Sequence, residues 1–166
     1  YPVSEDIKKL SLVTYLSDIT FSILGEANPD KRILALFLNA VYAAAYRDEM
    51  WQKLKTVYEL KLMSLGGFLP KLDKCMVCGG APEYFSCDKG SVVCRLHHSS
   101  GDIKLDDTLL SLMRYISACD IKKMLSFNVA DTEIFDRLNE ITEKYVRLQC
   151  DMEFKSLKYF YTICDM

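Results

Sequence analysis

The sequence predicts a mainly α-helical, bundle-like domain with an inserted, ribbon-like β-hairpin. Three observations carry that fold class. Apolar residues recur at helical spacing in both halves of the chain, and the helical period disappears between Pro70 and about Asp106. A C-x-x-C and a C-x-x-H sequence stand within that interruption. The expected organisation is a first helical part over residues 1–69, a hairpin insertion over 70–105, and a second helical part over 106–166.

Each element follows from local chemistry. Ser4 is the expected cap of the first helix, with Glu5 and Asp6 in its first turn, where the helix dipole favours acids. Leu12, Leu16, Ile19 and Ile23 make its buried stripe, and Gly25 ends it. Asn28-Pro29 is expected to open the second helix, whose inward face is Ile33, Phe37, Ala40, Val41 and Ala44. A third helix carries Trp51, Leu54, Tyr58, Leu62 and Leu65 and stops at Gly66-Gly67. Tyr84-Phe85 and Val92-Val93 flank the turn sequence Asp88-Lys89-Gly90, a hairpin signature. Asp106 or Asp107 caps a helix with Leu109, Leu112, Met113 and Ile116 inward, and a short apolar piece, Ile121 to Phe127, follows. Asp131 or Thr132 then starts one long helical pattern, Ile134, Leu138, Ile141, Tyr145, Leu148 and Met152, running to Tyr161 with room for a kink.

A chain of 166 residues with half its residues hydrophobic buries enough surface to fold without a staple, so a metal here would shape a local element. Its 21 Lys+Arg against 23 Asp+Glu give a formal charge of −2. That balance does not fit a domain whose main task is neutralising phosphates. Seven cysteines, an odd number, argue against a fully paired disulfide framework and for a reducing cytoplasm. Cys119, Cys150 and Cys164 lie in apolar helical stretches where thiols are ordinary core residues. No signal peptide and no bilayer-length apolar run is present, so no membrane contact is expected.

The chemistry concentrates in Cys75-Met76-Val77-Cys78-Gly79-Gly80 and Cys94-Arg95-Leu96-His97. Zinc takes four nitrogen and sulfur ligands in a tetrahedron, and two knuckles of one hairpin deliver them: Cys75, Cys78, Cys94 and His97. The adjacent His98 stays open as the fourth ligand, and Cys87 reads as a small buried side chain. Gly79 and Gly80 let backbone N–H groups face the thiolates. Four protein ligands leave no open position for water, so the expected Zn2+ is structural and no catalytic residue is assigned. Lys74 stands where zinc deaminases have Pro, and neither histidine is followed by x-Glu. Phosphate loops and nucleophile elbows are also missing.

Lys144, Arg147, Lys155 and Lys158 project onto one stripe if residues 131–161 form a single helix, beside the apolar Tyr145, Leu148 and Met152. Such a stripe is either a solvated face or a groove edge for an acidic peptide or phosphates.

Several stretches carry a family resemblance. Tyr58-Glu59-Leu60-Lys61-Leu62, the run Gly67-Phe68-Leu69-Pro70-Lys71-Leu72-Asp73-Lys74-Cys75, the pair Lys155-Ser156, and the opening YPVSEDIKKLSLVTYLSDI occur in the order seen in the C-terminal part of the RecO family. The chain resembles that part of these bacterial recombination mediators along essentially its whole length. His97 stands where the family usually has a fourth Cys, and Cys3His is an accepted structural zinc set. The resemblance implies a non-enzymatic role in DNA repair and recombination: annealing single strands, loading recombinase, working with RecR, and docking the acidic tail of single-strand-binding protein. It also implies a bacterial cytoplasmic, nucleoid-associated protein. The family's preceding OB domain is not in this sequence, which lacks an initiator Met, so single-stranded DNA binding is expected to be weak. For the tail, an apolar pocket and cations are required, and Lys61, Arg147 and Lys155 are the candidate partner-binding residues. The alternative is a zinc-stapled interaction module of another bacterial assembly without a DNA role.

Overall fold

The computed structural model describes residues 6–24 and 30–166. Its helices are α1 (Ile7–Leu24), α2 (Lys31–Tyr46), α3 (Trp51–Leu65), α4 (Asp107–Ala118), α5 (Ile134–Cys150) and α6 (Lys155–Cys164). The strands are β1 (Tyr84–Ser86), β2 (Ser91–Val93) and β3 (Ile103–Lys104). The chain is thus mainly helical with a small sheet between α3 and α4.

The expected Ser4 and Asn28-Pro29 starts and the Gly25 stop lie outside the described residues. Asp6 accepts hydrogen bonds from the N–H groups of Lys8 and Lys9 at 2.9 and 3.2 Å, and so caps α1. Asp30 does the same for α2 through Arg32, at 2.8 Å. Asp106 caps α4 through the N–H of Leu109, as its position before the apolar run predicts. The Leu109 N–H, with Arg137 second, holds the Asp106 carboxyl below the usual carboxylate range.

α3 is the axis of the bundle and packs against α1, α2, α4 and α5. Every residue from Leu54 to Met63 is buried, charged ones included. The sequence reading gave α3 one inward face; with helices on several sides it has no outward one over this stretch. Lys55 and Glu59 are both fully buried and meet at 2.8 Å. Lys55 also reaches Glu143 Oε1 at 2.9 Å and Asn139 Oδ1 at 2.8 Å on α5. Tyr15 of α1 and Thr142 of α5 donate to the two oxygens of Glu59, each at 2.5 Å. Tyr161 of α6 donates to Glu143. Burial first, then the Glu59 charge, pushes the Tyr15 phenol well above its ordinary value, so it stays a donor. Buried charges persist when every lone pair and proton has a partner, and this network ties four helices into one core.

The segment expected as one long helix is two. After Cys150 the chain adopts a left-handed conformation at Asp151 (φ 49°), and α6 restarts at Lys155 behind Phe154, which is buried. Asp is among the few non-glycine residues that tolerate this region. α6 then folds back to pack along α1.

The predicted hairpin is present, and a third strand that the sequence reading missed joins it. Strand order is β2-β1-β3, all antiparallel, with Phe85 opposite Val92 on one side and Ile103 on the other. β3 has only two residues, too few for alternation to register in sequence. Lys71 adds a parallel bridge to Ser91.

Candidate metal centre and helical pocket

The sheet presents two sides. Phe85, Val92 and Cys87 join the main core, and the Phe85 ring meets Tyr145 of α5 edge-on at 5.3 Å. Cys75, Val93, Cys94 and Tyr84 form a separate small cluster on the other side. α5 holds the hairpin tip: Gln149 donates to the carbonyls of Cys87 and Asp88 at 2.9 and 2.8 Å. Gly90, at φ 59°, brings the turn so close that a Cβ would sit 3.0 Å from the Tyr145 hydroxyl. Arg114 of α4 donates to the carbonyls of Leu72 and Asp73, fixing the approach to the first knuckle.

Each knuckle is a tight turn. In the first, the N–H of Cys75 reaches Gly80 O and that of Gly79 returns to Cys75 O, at 2.9 and 2.8 Å, with Gly79 at φ 72°. In the second, His97 N–H bonds Cys94 O at 3.0 Å, which turns the imidazole back toward the thiol. The donor atoms of Cys75, Cys78, Cys94 and His97 all lie within 4.8 Å of one another. Cys78 Sγ and Cys94 Sγ are 3.7 Å apart, and His97 Nδ1 lies 3.2 Å from Cys94 Sγ and 3.8 Å from Cys75 Sγ. A tetrahedral zinc with sulfur at ~2.3 Å and nitrogen at ~2.0–2.1 Å has edges of about 3.8 and 3.6 Å. The separations fit an ion at the centre and are far too long for a disulfide.

Burial raises the Cys75 thiol, but the N–H groups of Cys78, Val77 and Cys94 outweigh it and bring the thiol down to about 6. Gly80 N–H lowers Cys78, while the neighbouring Cys94 and Cys75 thiols more than offset it and leave the Cys78 thiol raised. The knuckle turns thus bring the N–H groups of Val77, Cys78 and Cys94 toward the Cys75 sulfur and that of Gly80 toward Cys78, which favours negative charge there. A Cys3His group of this shape can hold a metal ion.

The two open alternatives take other positions. His98 stacks flat on Tyr84, with centroids 4.0 Å apart and planes 8° from parallel, and its Nδ1 faces Ser99 O. Cys87 is 1% exposed, its thiol points to Ile141 O, and burial pushes it up to about 12.

The candidate partner-binding cations separate. Lys61 is a correction: it is 4% exposed, and its ammonium donates to the carbonyls of Ser117 and Cys119 at the end of α4. Buried on α3, it closes that helix end and offers nothing to a partner. The predicted single-helix stripe is also corrected, because Lys144 and Arg147 stand on α5 and Lys155 and Lys158 on α6. The break brings three of them around a pocket of about 430 Å³, which Lys144, Arg147 and Lys158 line and Lys155 does not. Its apolar lining includes Val146, Phe154 and Leu157, and Glu140, Glu143 and Glu153 also reach it. Lys158 pairs with Glu153 at 2.5 Å and Lys144 donates to Gly101 O. Among the described residues Arg147 has neither an ion pair nor a side-chain hydrogen bond. A second pocket, about 330 Å³, lies between the start of α1, the 47–50 loop and the end of α6, with Lys9, Arg47, Trp51 and Phe160 in its lining. Sequence reading missed it because no single element carries more than part of it.

The family model described as Recombination protein O C terminal matches residues 4–158. Proteins called DNA repair protein RecO are similar over nearly the whole chain. That of Acetivibrio thermocellus is 25% identical over 98% of this chain and 66% of its own length. That of Caldanaerobacter subterraneus is 28% identical over 98% and 67%, and that of a Thermoanaerobacter species 30% identical over 99% and 67%. The chain therefore spans about two thirds of the length of these relatives. Among the described residues no helix is long and apolar enough to cross a membrane.

Proposed function

Because this chain belongs to the recombination protein O family, we propose that it is the helical, zinc-stapled part of a bacterial DNA repair mediator. The family match over residues 4–158 carries this reading. In it the chain works by docking and exchange rather than by bond chemistry, in the bacterial cytoplasm at the nucleoid. Cys75, Cys78, Cys94 and His97 hold a Zn2+ that is coordinatively full and serves only to fix the hairpin over residues 70–105. RecR and the acidic tail of single-strand-binding protein are the proposed protein partners, with strand annealing and recombinase loading as the outcome.

The α5–α6 pocket suits such a tail. An aromatic end group fits an apolar floor of Val146, Phe154 and Leu157, and Arg147 offers an unpaired guanidinium to a carboxylate at the rim. Lys155, about one turn before Lys158 on α6, adds charge outside the pocket. Fluorescence anisotropy with an acidic peptide ending in Phe tests this. Arg147→Glu with Lys155→Glu should weaken binding about tenfold or more, since a desolvated charge contact is worth more than ~1.4 kcal/mol. Unchanged affinity removes the pocket from the proposal, and a loss on Arg47→Glu instead moves the docking site to the second pocket.

The net charge of −2 supports weak DNA binding by this stretch. A labelled single strand at physiological salt should bind with a Kd of roughly 10 µM or weaker, the range of non-specific contacts. Nanomolar binding would contradict this.

A further inference from the structure

The outward face of α2 is apolar apart from the exposed Asn39. From Ile33 to Tyr46 the chain carries no charged residue. Leu34, Leu38, Tyr42 and Tyr46, at successive four-residue steps, are nevertheless 57%, 58%, 55% and 63% exposed. Ile33, Leu36, Ala40 and Ala43 meanwhile face the core. Tyr42 and Tyr46 lie against each other along the stripe, with centroids 5.1 Å apart. A helix that is apolar all round is ordinarily covered on all sides, and a contiguous exposed patch marks an interaction surface. Charges gather only at the ends: Asp30, Lys31 and Arg32 before the stripe, and Arg47, Asp48 and Glu49 after it. Asp30 pairs with Arg32 at 2.6 Å and Glu49 with Lys53 at 3.1 Å. Lys31 and Asp48 have no ion-pair partner among the described residues.

We propose that this stripe pairs with the same stripe of a second copy of the chain, the two α2 helices running antiparallel about a twofold axis near Ala40. Two features select a second copy as the occupant. The first is register. The four positions are symmetric about residue 40, so antiparallel pairing lays Leu34 against Tyr46 and Leu38 against Tyr42, twice over, in the closed self-complementary arrangement of a twofold dimer. The same register brings Lys31 of one helix to within one position of Asp48 of the other, so two charges without an ion-pair partner among the described residues of one copy come together across the interface. The second is area. Four side chains at these exposures offer on the order of 450–500 Å² per copy, so complete coverage of both stripes would bury at most about 1,000 Å², near the lower bound for a specific interface.

Sedimentation velocity of the 166-residue chain from about 1 to 200 µM tests the proposal. The unsubstituted protein should pass from monomer to dimer across that range. Leu38→Glu and Tyr42→Glu should each keep it monomeric at every concentration while leaving its thermal transition in place, because both side chains are exposed. Lys31→Asp and Asp48→Lys should each weaken dimerisation several-fold, and Lys31→Asp with Asp48→Lys in one chain should recover it. A monomer throughout, a dimer indifferent to Leu38→Glu, or a double variant as weak as the singles overturns the proposal.

Discussion

If the Cys/His group holds zinc as proposed, Cys94→Ser should abolish most zinc binding by the purified protein and should open residues 70–105 while the helices stay folded. The strands number three, three and two residues, too few to stand alone as a sheet. Their outer side packs only the small cluster of Cys75, Val93, Cys94 and Tyr84, so an ion held by the Cys/His group would stand in for a core there. Zinc binding is worth about 10–16 kcal/mol in isolated finger peptides, far more than so small a cluster supplies. Phe85 and Val92 of the inner side reach the helical core, but α1 to α6 pack chiefly on one another. Elemental analysis should therefore fall toward zero, hydrogen exchange should accelerate over residues 84–93, and helical circular dichroism should hold. His97→Ala should weaken zinc binding at least tenfold, and His98→Ala should leave it unchanged. The reverse pattern in the two histidine variants, or a protected hairpin in Cys94→Ser, would refute this assignment.

Lys55→Met should lower stability by about 3–5 kcal/mol, the usual cost of removing one partner from a buried ion pair. For a domain of this size that is a fall of roughly 8–15 °C in Tm. Methionine fills nearly the same volume, so the loss is electrostatic. Glu59, itself fully buried, would keep Tyr15 and Thr142 as donors but lose its cation, and Glu143 would face it across the gap. Lys55→Met combined with Glu59→Gln should recover part of the loss by removing the uncompensated charge. Calorimetry on the two variants decides the matter: equal Tm values for Lys55→Met and the unsubstituted protein would mean the network adds nothing.

The helices were legible in the sequence where one face is buried and one is wet. Leu12, Leu16 and Ile19 are buried along α1, and Leu109, Leu112, Met113 and Ile116 along α4, at the spacing that announced them. α3 defeated the same logic. A helix enclosed from several sides shows no polar face, and its Lys and Glu residues look like surface charges until their partners on α1, α4 and α5 are known. That is why Lys61 was read as a docking cation. Asp151 was equally silent, since a left-handed turn at a non-glycine residue leaves no strong signal, and with it went the stripe drawn across residues 144–158. The Cys/His group stood out because its members stand at short-range spacing, with two residues between them in each knuckle. The choice between His97 and His98 rested instead on the Cys94 turn and on the Tyr84 ring, one supplied by backbone geometry and the other by a strand ten residues earlier.

The enclosure of α3 bears on how such a molecule meets its partners. An axle gripped on every side cannot slide without breaking a charged lattice shared by four helices, so the body around it keeps one shape. Whatever settles on its outer surfaces then finds a template already set, and little ordering is left to the moment of encounter. If the chain hands on a strand or a peptide as proposed, that becomes a matter of which surface is covered, not of how the body bends.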